Sequence, residues 1–385
     1  MRPCFAALVL ALASPLAAQP FTPVVVDTTA TGSGPVVWAD LDGDGRLDLI
    51  KNSFYTHALV YRGGPHGTWT RVEGSPLSER PDMTLGLAVA DIDNDGDLDL
   101  FESTANHRFG YDLEIGSLLW RNMRGTFTRT ETGPLGAVND VSSNGGAWAD
   151  YDADGDLDLM VAVHDLWSLN PDAPTSENVL FENTGAGAFR RNTTALPDSP
   201  GDADLRPIWA DYDGDGDLDL SIPQGYFETA PAHRRSDFFR NQLAETGSAT
   251  FQHDSTSAFT RATTNTTSLS WVDYDNDGDL DLYLCAFAPG DRPPTEAPGL
   301  PNQLWTNVNG TFVRATEGPH VTDAKLTTGH IWLDADNDGD LDLFGRWVLQ
   351  QAPPRNPCVP FQRRRHPSSP REALLRVAGG GPRPQ

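Results

Sequence analysis

Cysteine is nearly missing from this chain. Only three occur among 385 residues. Cys4 falls in a stretch that reads as a leader, which leaves Cys285 and Cys358, too few for a disulfide framework. Stability therefore has to come from something other than disulfides. Cys285 lies in the apolar run Tyr283-Leu284-Cys285 and reads as a small core residue rather than a nucleophile. Membrane-length hydrophobic runs are also missing. The run from Phe5 to Ala13 is too short to cross a bilayer. With Arg2 before it and Leu16-Ala17-Ala18 after it, residues 1–18 read as a secretory signal peptide. No G-x-S-x-G, H-E-x-x-H or redox-cofactor fingerprint is present. Positive charge is scarce as well: 28 Lys and Arg stand against 54 Asp and Glu, a net charge of −26. That balance disfavours nucleic acid and anionic membranes as partners of the body. It favours cations, basic proteins or neutral glycans.

What the chain has in quantity is one acidic loop. Asp40-Leu41-Asp42-Gly43-Asp44-Gly45-Arg46-Leu47-Asp48 recurs from Asp91, Asp150, Asp211, Asp273 and Asp334. All six copies read D-x-D-x-D-G-x-L-D-L, with start-to-start spacings of 51, 59, 61, 62 and 61 residues. Such a period marks a propeller, a solenoid or an array. Carboxylates this dense repel one another unless a cation sits among them, and a set of hard oxygens points to Ca²⁺. The candidate ligands at positions 1, 3, 5 and 9 are Asp40, Asp42, Asp44 and Asp48; Asp91, Asp93, Asp95 and Asp99; Asp150, Asp152, Asp154 and Asp158; Asp211, Asp213, Asp215 and Asp219; Asp273, Asp275, Asp277 and Asp281; Asp334, Asp336, Asp338 and Asp342. Position 7 is Arg46, Asp97, Asp156, Asp217, Asp279 or Asp340, a variation that fits a ligand drawn from the main-chain carbonyl. Position 9 returns the last carboxylate, in a bidentate role if the loop curls fully. Glycine at position 6 permits a sharp turn with positive φ.

An EF-hand begins in the same way but needs Glu at position 12 and helical flanks. Position 12 here is Lys51, Glu102, Val161, Ile222, Leu284 or Gly345, and the flanks read as strands. Each repeat follows one plan. A strand enters the loop, as in Val36-Val37-Trp38-Ala39. A second begins at Leu-Asp-Leu. A third follows a variable connection, as in Leu118-Leu119-Trp120-Arg121-Asn122, and a tight turn leads to a fourth. Four strands per repeat make a propeller blade. Trp stands two residues before the loop in five copies (Trp38, Trp148, Trp209, Trp271, Trp332) and Val89 in the sixth, which reads as a wedge between blades.

Asp-x-Asp-x-Asp-Gly-x-x-Asp-Leu between strands resembles the FG-GAP/VCBS-type repeat of integrin-α-like propellers. Asp279 to Pro289 is similar to that repeat's D-L-x-x-G-A-P ending. The Leu-x-x-Asn and Gly-Thr-Phe strands look most like the secreted cartilage-acidic-protein/UnbV-like group. The resemblance covers roughly residues 21–345. It implies a calcium-bearing β-propeller, usually of seven blades, and no single activity.

The expectation is thus an all-β chain: a leader at 1–18, a propeller of six to seven four-stranded blades at 19–345, and a last blade left incomplete. Phe21 to Asp27 reads as an isolated strand that closes the ring. Residues 346–385 carry eight Arg, eight Pro and one Glu, with no clear strand pattern. They read as disordered, as a basic binding tail, or as the product of truncation or a reading-frame error. The connections between second and third strands are the expected place for function, with His107, Arg108, Tyr111, His164, Trp167, Tyr226, Phe227, His233, Arg234 and Arg235 as candidates. The leading functional expectation is a secreted or cell-surface, monomeric adhesion or ligand-binding module for protein or glycan, with structural Ca²⁺. The enzymatic alternative is a polysaccharide lyase or hydrolase using His164 and Arg234 or Arg235.

Overall fold

In a computed structural model the residues described are 34–53, 56–79, 81–82, 84–104, 117–130, 143–163, 177–197, 204–225, 235–261, 265–287, 299–348 and 373–374. They form six four-stranded antiparallel blades arranged as a propeller ring. Five blades run in chain order from inner to outer edge. Blade 1 is Val36–Ala39, Asp48–Ser53, Thr56–Gly63 and Trp69–Arg71, with Pro81–Asp82 added beside its third strand. Blade 2 is Thr84–Ala90, Asp99–Thr104, Leu118–Met123 and Thr126–Arg129. Blade 3 is Ser143–Ala149, Asp158–Val163, Val179–Asn183 and Phe189–Asn192. Blade 4 is Ile208–Ala210, Asp219–Ile222, Asp237–Asn241 and Phe251–His253. Blade 5 is Thr266–Val272, Asp281–Ala286, Gln303–Val308 and Thr311–Arg314.

Blade 6 is assembled differently. Ala324–Leu333 and Asp342–Val348 are its paired central strands. Leu300–Pro301, from the connection inside blade 5, pairs with the first of them. Ala373–Leu374 pairs with the second, through Phe344 opposite Leu374. Six blades are present, within the expected six to seven, and residues 373–374, in a stretch read as having no clear strand pattern, supply a strand. The expected closing strand at 21–27 lies outside the described residues.

The second strands are buried along their whole length in blades 2, 3 and 5. Neighbouring blades cover both faces, so these strands need no polar alternation. Each large core cluster accordingly spans two consecutive blades. One joins Ile92 and Phe101 to Leu159 and Phe181; another joins Tyr212 and Phe238 to Leu282 and Trp305.

Two repeated side chains stitch blade to blade. Trp148, Trp209 and Trp271 each pack on the preceding blade, as in Trp271 stacked on Tyr212 with centroids 4.7 Å apart. Their indole N–H groups donate to Ala88 O, Ala147 O and Ser221 Oγ at 3.3, 3.2 and 3.0 Å. The expected wedge role is what the packing shows. The asparagine ending the third strand does the same work with its amide. Asn122, Asn183 and Asn241 donate from Nδ2 at 2.8 Å to Leu41 O, Ile92 O and Tyr151 O, the carbonyl at loop position 2 of the blade before. All three are buried, where an amide N–H needs an acceptor.

Among the described residues the boundary between blades 6 and 1 shows neither stitch. Gly63 takes the place of the asparagine, and a Cβ there would lie 2.2 Å from Leu47 O. Trp38 is 47% exposed, and Ile331, on the facing blade, is 59% exposed.

The first strands surround an axial channel of about 430 Å³, to which all six blades contribute lining residues.

Candidate metal centres

The six acidic loops join first to second strands, so all lie at the same end of the ring. Neighbouring loops touch: Asn94 Nδ2 donates to Asp156 Oδ1 at 3.0 Å, and Asn276 Nδ2 to Asp340 Oδ1 at 3.3 Å. Each loop has one hydrogen-bond plan, shown by the first. Position 1, Asp40, accepts the N–H of Asp44 at 3.1 Å and of Gly45 at 2.8 Å. Position 5, Asp44, accepts the N–H of Arg46 at 3.0 Å. These bonds curl the chain over on itself. Glycine at position 6 has φ between 82° and 99° in all six copies, as expected. Position 4 is also left-handed in every copy, at Gly43, Asn94, Ala153, Gly214, Asn276 and Asn337. Sequence reasoning missed that, although Gly and Asn at five of six copies are the residues that tolerate it. Ala153, at φ 59°, is the one poorly suited. A Gly at 153 is expected to stabilise the chain by about 1 kcal/mol, read as a higher urea midpoint.

Position 9 anchors the loop to the blade. Asp219 accepts Tyr212 N–H at 3.1 Å and Asn241 N–H at 2.9 Å, tying position 2 and the third strand together. Asp158 and Asp281 do the same. All three are buried without measurable exposure. Burial pushes Asp99 up to about 6, Asp281 to about 7, and Asp158 and Asp219 to about 8, against the pull of the backbone N–H bonds. A metal-free loop therefore holds carboxylates that are poorly solvated as anions.

Position 3 differs from its neighbours. Oδ1 of Asp42, Asp93 and Asp213 is buried with no hydrogen-bond partner. Such an orphan acceptor leaves room for a further partner, a water or an ion. Oxygens of Asp40, Asp42 and Asp48 lie within 4.8 Å of one another, as do those of Asp150, Asp152 and Asp158 and of Asp211, Asp213 and Asp219. Two oxygens each about 2.4 Å from one ion are at most about 4.8 Å apart, so these sets fit Ca²⁺. In the second loop the grouped residues are Asp91, Asp93 and Asp95. At position 7, Asp279 accepts Asn309 N–H at 3.1 Å and Arg46 donates to Gly63 O at 2.9 Å. Asp217 accepts Ala244 N–H at 2.8 Å through one oxygen, while its buried Oδ1 has no hydrogen-bond partner and its side chain groups with Asp215 and Glu245.

Three loops also carry an arginine that sequence reasoning did not single out. It stands immediately before the third-strand asparagine or its glycine replacement. Arg62 meets Asp42 and Arg121 meets Asp93, both at 2.6 Å, and Arg240 meets Asp213 at 3.0 Å. The same place holds Glu182 in blade 3 and Thr306 in blade 5. Position 3 in those two loops, Asp152 and Asp275, has no such partner, and burial with neighbouring carboxylates pushes both pKa values up.

Of the residues proposed for a binding surface, Arg235 is described and exposed. His107, Arg108, Tyr111, His164, Trp167, Tyr226, Phe227, His233 and Arg234 lie outside the described residues, as does Cys358. Cys285 is fully buried. Its Sγ lies 3.1 Å from His330 Nδ1, and His330 Nε2 lies 2.7 Å from Ser270 Oγ. Burial pushes the thiol up and the imidazole down to about 4, so the pair is neutral and the thiol is not an activated nucleophile. Glu102, the lone EF-hand-like residue, is buried and accepts from Asn52 Nδ2 and Thr84 Oγ1 at 2.6 and 2.5 Å, inside blades 1 and 2.

No protein-family model and no curated protein matches the chain. Among solved structures, it is similar to a lectin of Agrocybe aegerita that recognises non-reducing terminal N-acetylglucosamine. The identity is 17%, the TM-score 0.51, and the match covers 82% of this chain and 75% of the lectin. It also matches BBS1N, solved in complex with ARL6DN, at 9% identity and TM-score 0.49, over 84% and 79% of the two chains. A third match, an ancestral GH74 enzyme, has 11% identity and TM-score 0.48, over 84% of this chain and 36% of that one. The class these observations define is the six-bladed β-propeller.

Proposed function

We propose that this chain is a secreted calcium-binding β-propeller that acts as an adhesion or ligand-binding module for an extracellular protein or glycan, with calcium in a structural role. The observation that carries the reading is the unpartnered, buried position-3 oxygen, set among further carboxylates at one end of a rigid ring. Asp at positions 1, 3, 5 and 9, with the carbonyl at position 7, would hold the ion. Its charge would offset the mutual repulsion of the loops and stiffen the frame from which the variable connections project. The FG-GAP/VCBS resemblance supports the same assignment. The leader at 1–18 supports export to where calcium is plentiful enough for weak sites. A sugar is within reach of the fold, as the Agrocybe lectin illustrates.

The test is a calcium titration followed by capture on panels of glycans and matrix proteins, with and without EDTA. Binding in two affinity classes is expected. Loops with Arg62, Arg121 or Arg240 on position 3 should be weaker, and those of blades 3 and 5 tighter. A ligand held in calcium and released by EDTA supports the module. Absence of calcium binding removes the structural role, and silent panels remove the adhesive one.

A further inference from the structure

The axial channel breaks the repeat at one point. Counting back three residues from each wedge position gives Pro35, Gly86, Gly145, Arg206, Ser268 and Gly329. Five blades put a small residue or proline there, and blade 4 puts an arginine. Its side chain lies over Gly145, where an added Cβ would come within 2.6 Å of Arg206 Cγ. The guanidinium then passes blade 3 altogether and donates from Nη2 to Leu85 O of blade 2 at 3.0 Å. Gly145 on the neighbouring blade is what makes room for it.

Nothing of opposite charge among the described residues meets this group. Among the described residues no carboxylate forms an ion pair with Arg206, and no Asp or Glu lines the channel. The nearest acid in sequence, Asp204, is buried and faces Asn178, whose Nδ2 donates to it at 2.5 Å. The Arg206 guanidinium stays charged at neutral pH. A second cation, Arg346, lines the same channel from blade 6, beside the hydroxyl-bearing Thr267, Ser268 and Thr328. Both arginines are exposed, and both line a cavity of about 430 Å³, within the range of small-molecule sites, in a chain whose net charge is −26.

We propose that the axial channel binds one small oxyanion, a carboxylate- or sulfate-bearing molecule, with Arg206 as its main contact and Arg346 as the second cation. The planar fork of Arg206 suits either oxyanion in a two-point hydrogen bond. The hydroxyl-bearing lining would take the polar remainder of an organic ligand. This site is separate from the acidic loops and does not depend on calcium occupying them.

Isothermal titration of the full chain with sodium glucuronate, sodium sulfate and neutral glucose, at constant ionic strength in calcium, tests it. One site per chain is expected for glucuronate, sulfate or both, and none for glucose. Preference for glucuronate marks an organic acid as the ligand, and equal binding marks a simple oxyanion site. Arg206→Gln should weaken binding by about tenfold or more. Arg206→Lys, with charge but no fork, should fall between. Arg314→Gln, outside the channel, should bind as the original chain does. A calcium-loaded melt shows whether the Arg206 variants keep the ring; if they do not, Arg346→Gln, expected to weaken binding severalfold, takes their place. No heat from either anion, glucose binding equal to glucuronate, or undiminished affinity in both channel variants would overturn the proposal.

Discussion

Removing calcium with excess EDTA is expected to lower the melting temperature of this chain by about 10 °C or more at neutral pH. The argument starts from the loops. Each holds carboxylates whose oxygens lie within 4.8 Å of one another in the grouped sets, and their position-9 members are buried. An ion that binds only the folded state at about 100 times its Kd contributes about 2.7 kcal/mol per site. Three such sites give about 8 kcal/mol. Unfolding entropy of roughly 2.1 cal/mol/K per residue, for a propeller of this length, comes to roughly 0.7 kcal/mol/K. The quotient is a shift of about 12 °C. Scanning calorimetry with and without EDTA measures it directly, and an unchanged melt would mean that the loops are stable without a metal.

The same carboxylates fix the sign of the pH effect on the metal-free chain. Asp99, Asp281, Asp158 and Asp219 are raised to about 6, 7, 8 and 8 by burial, against an unfolded value near 3.9. The folded state therefore binds more protons than the unfolded state between about pH 4 and pH 8, and stability falls as pH rises through that window. In EDTA the chain should melt higher at pH 5 than at pH 8. Calcium should flatten or reverse the trend, because the bound ion supplies the charge that protons supply at low pH.

Asp219→Ala should cost about 3–5 kcal/mol, the largest loss from any single loop substitution. Its carboxylate accepts the buried N–H groups of both Tyr212 and Asn241. Truncation leaves two buried donors unsatisfied, at about 1–3 kcal/mol each, and cuts the tie between the loop and the third strand. Asn241 in turn holds Tyr151 O of blade 3, so the loss reaches the blade boundary. Asp95→Asn, at an exposed position 5 of the second loop, should cost about 1 kcal/mol or less in EDTA. Urea unfolding of both variants in EDTA separates this structural role from metal binding. Equal effects would show that position 9 does no more than position 5.

Much of this was legible in the sequence because a propeller repeats its local solutions. Six copies of one loop fixed the blade count at six or more, and Gly at position 6 announced its positive φ. Trp at a constant offset announced a wedge that the aromatic stacking confirms. The third-strand asparagine was visible as a letter but not as a stitch, since its partner carbonyl lies up to 91 residues away. Arg62, Arg121 and Arg240 were likewise invisible as loop partners. A charge three strands into a blade says nothing of which carboxylate it will meet until the third strand is laid beside the loop.

The final division follows from range. The sequence by itself determined the blade plan, the acidic loops and the oxygen donors they present, because these depend on contacts within about ten residues. Only the tertiary structure decided that blade 6 borrows Leu300–Pro301 and Ala373–Leu374. It alone turned a break in the repeat at Arg206 into a charged axial channel. Ring closure brings six distant strands to one axis, and a charge placed there acquires its meaning from residues on every other blade.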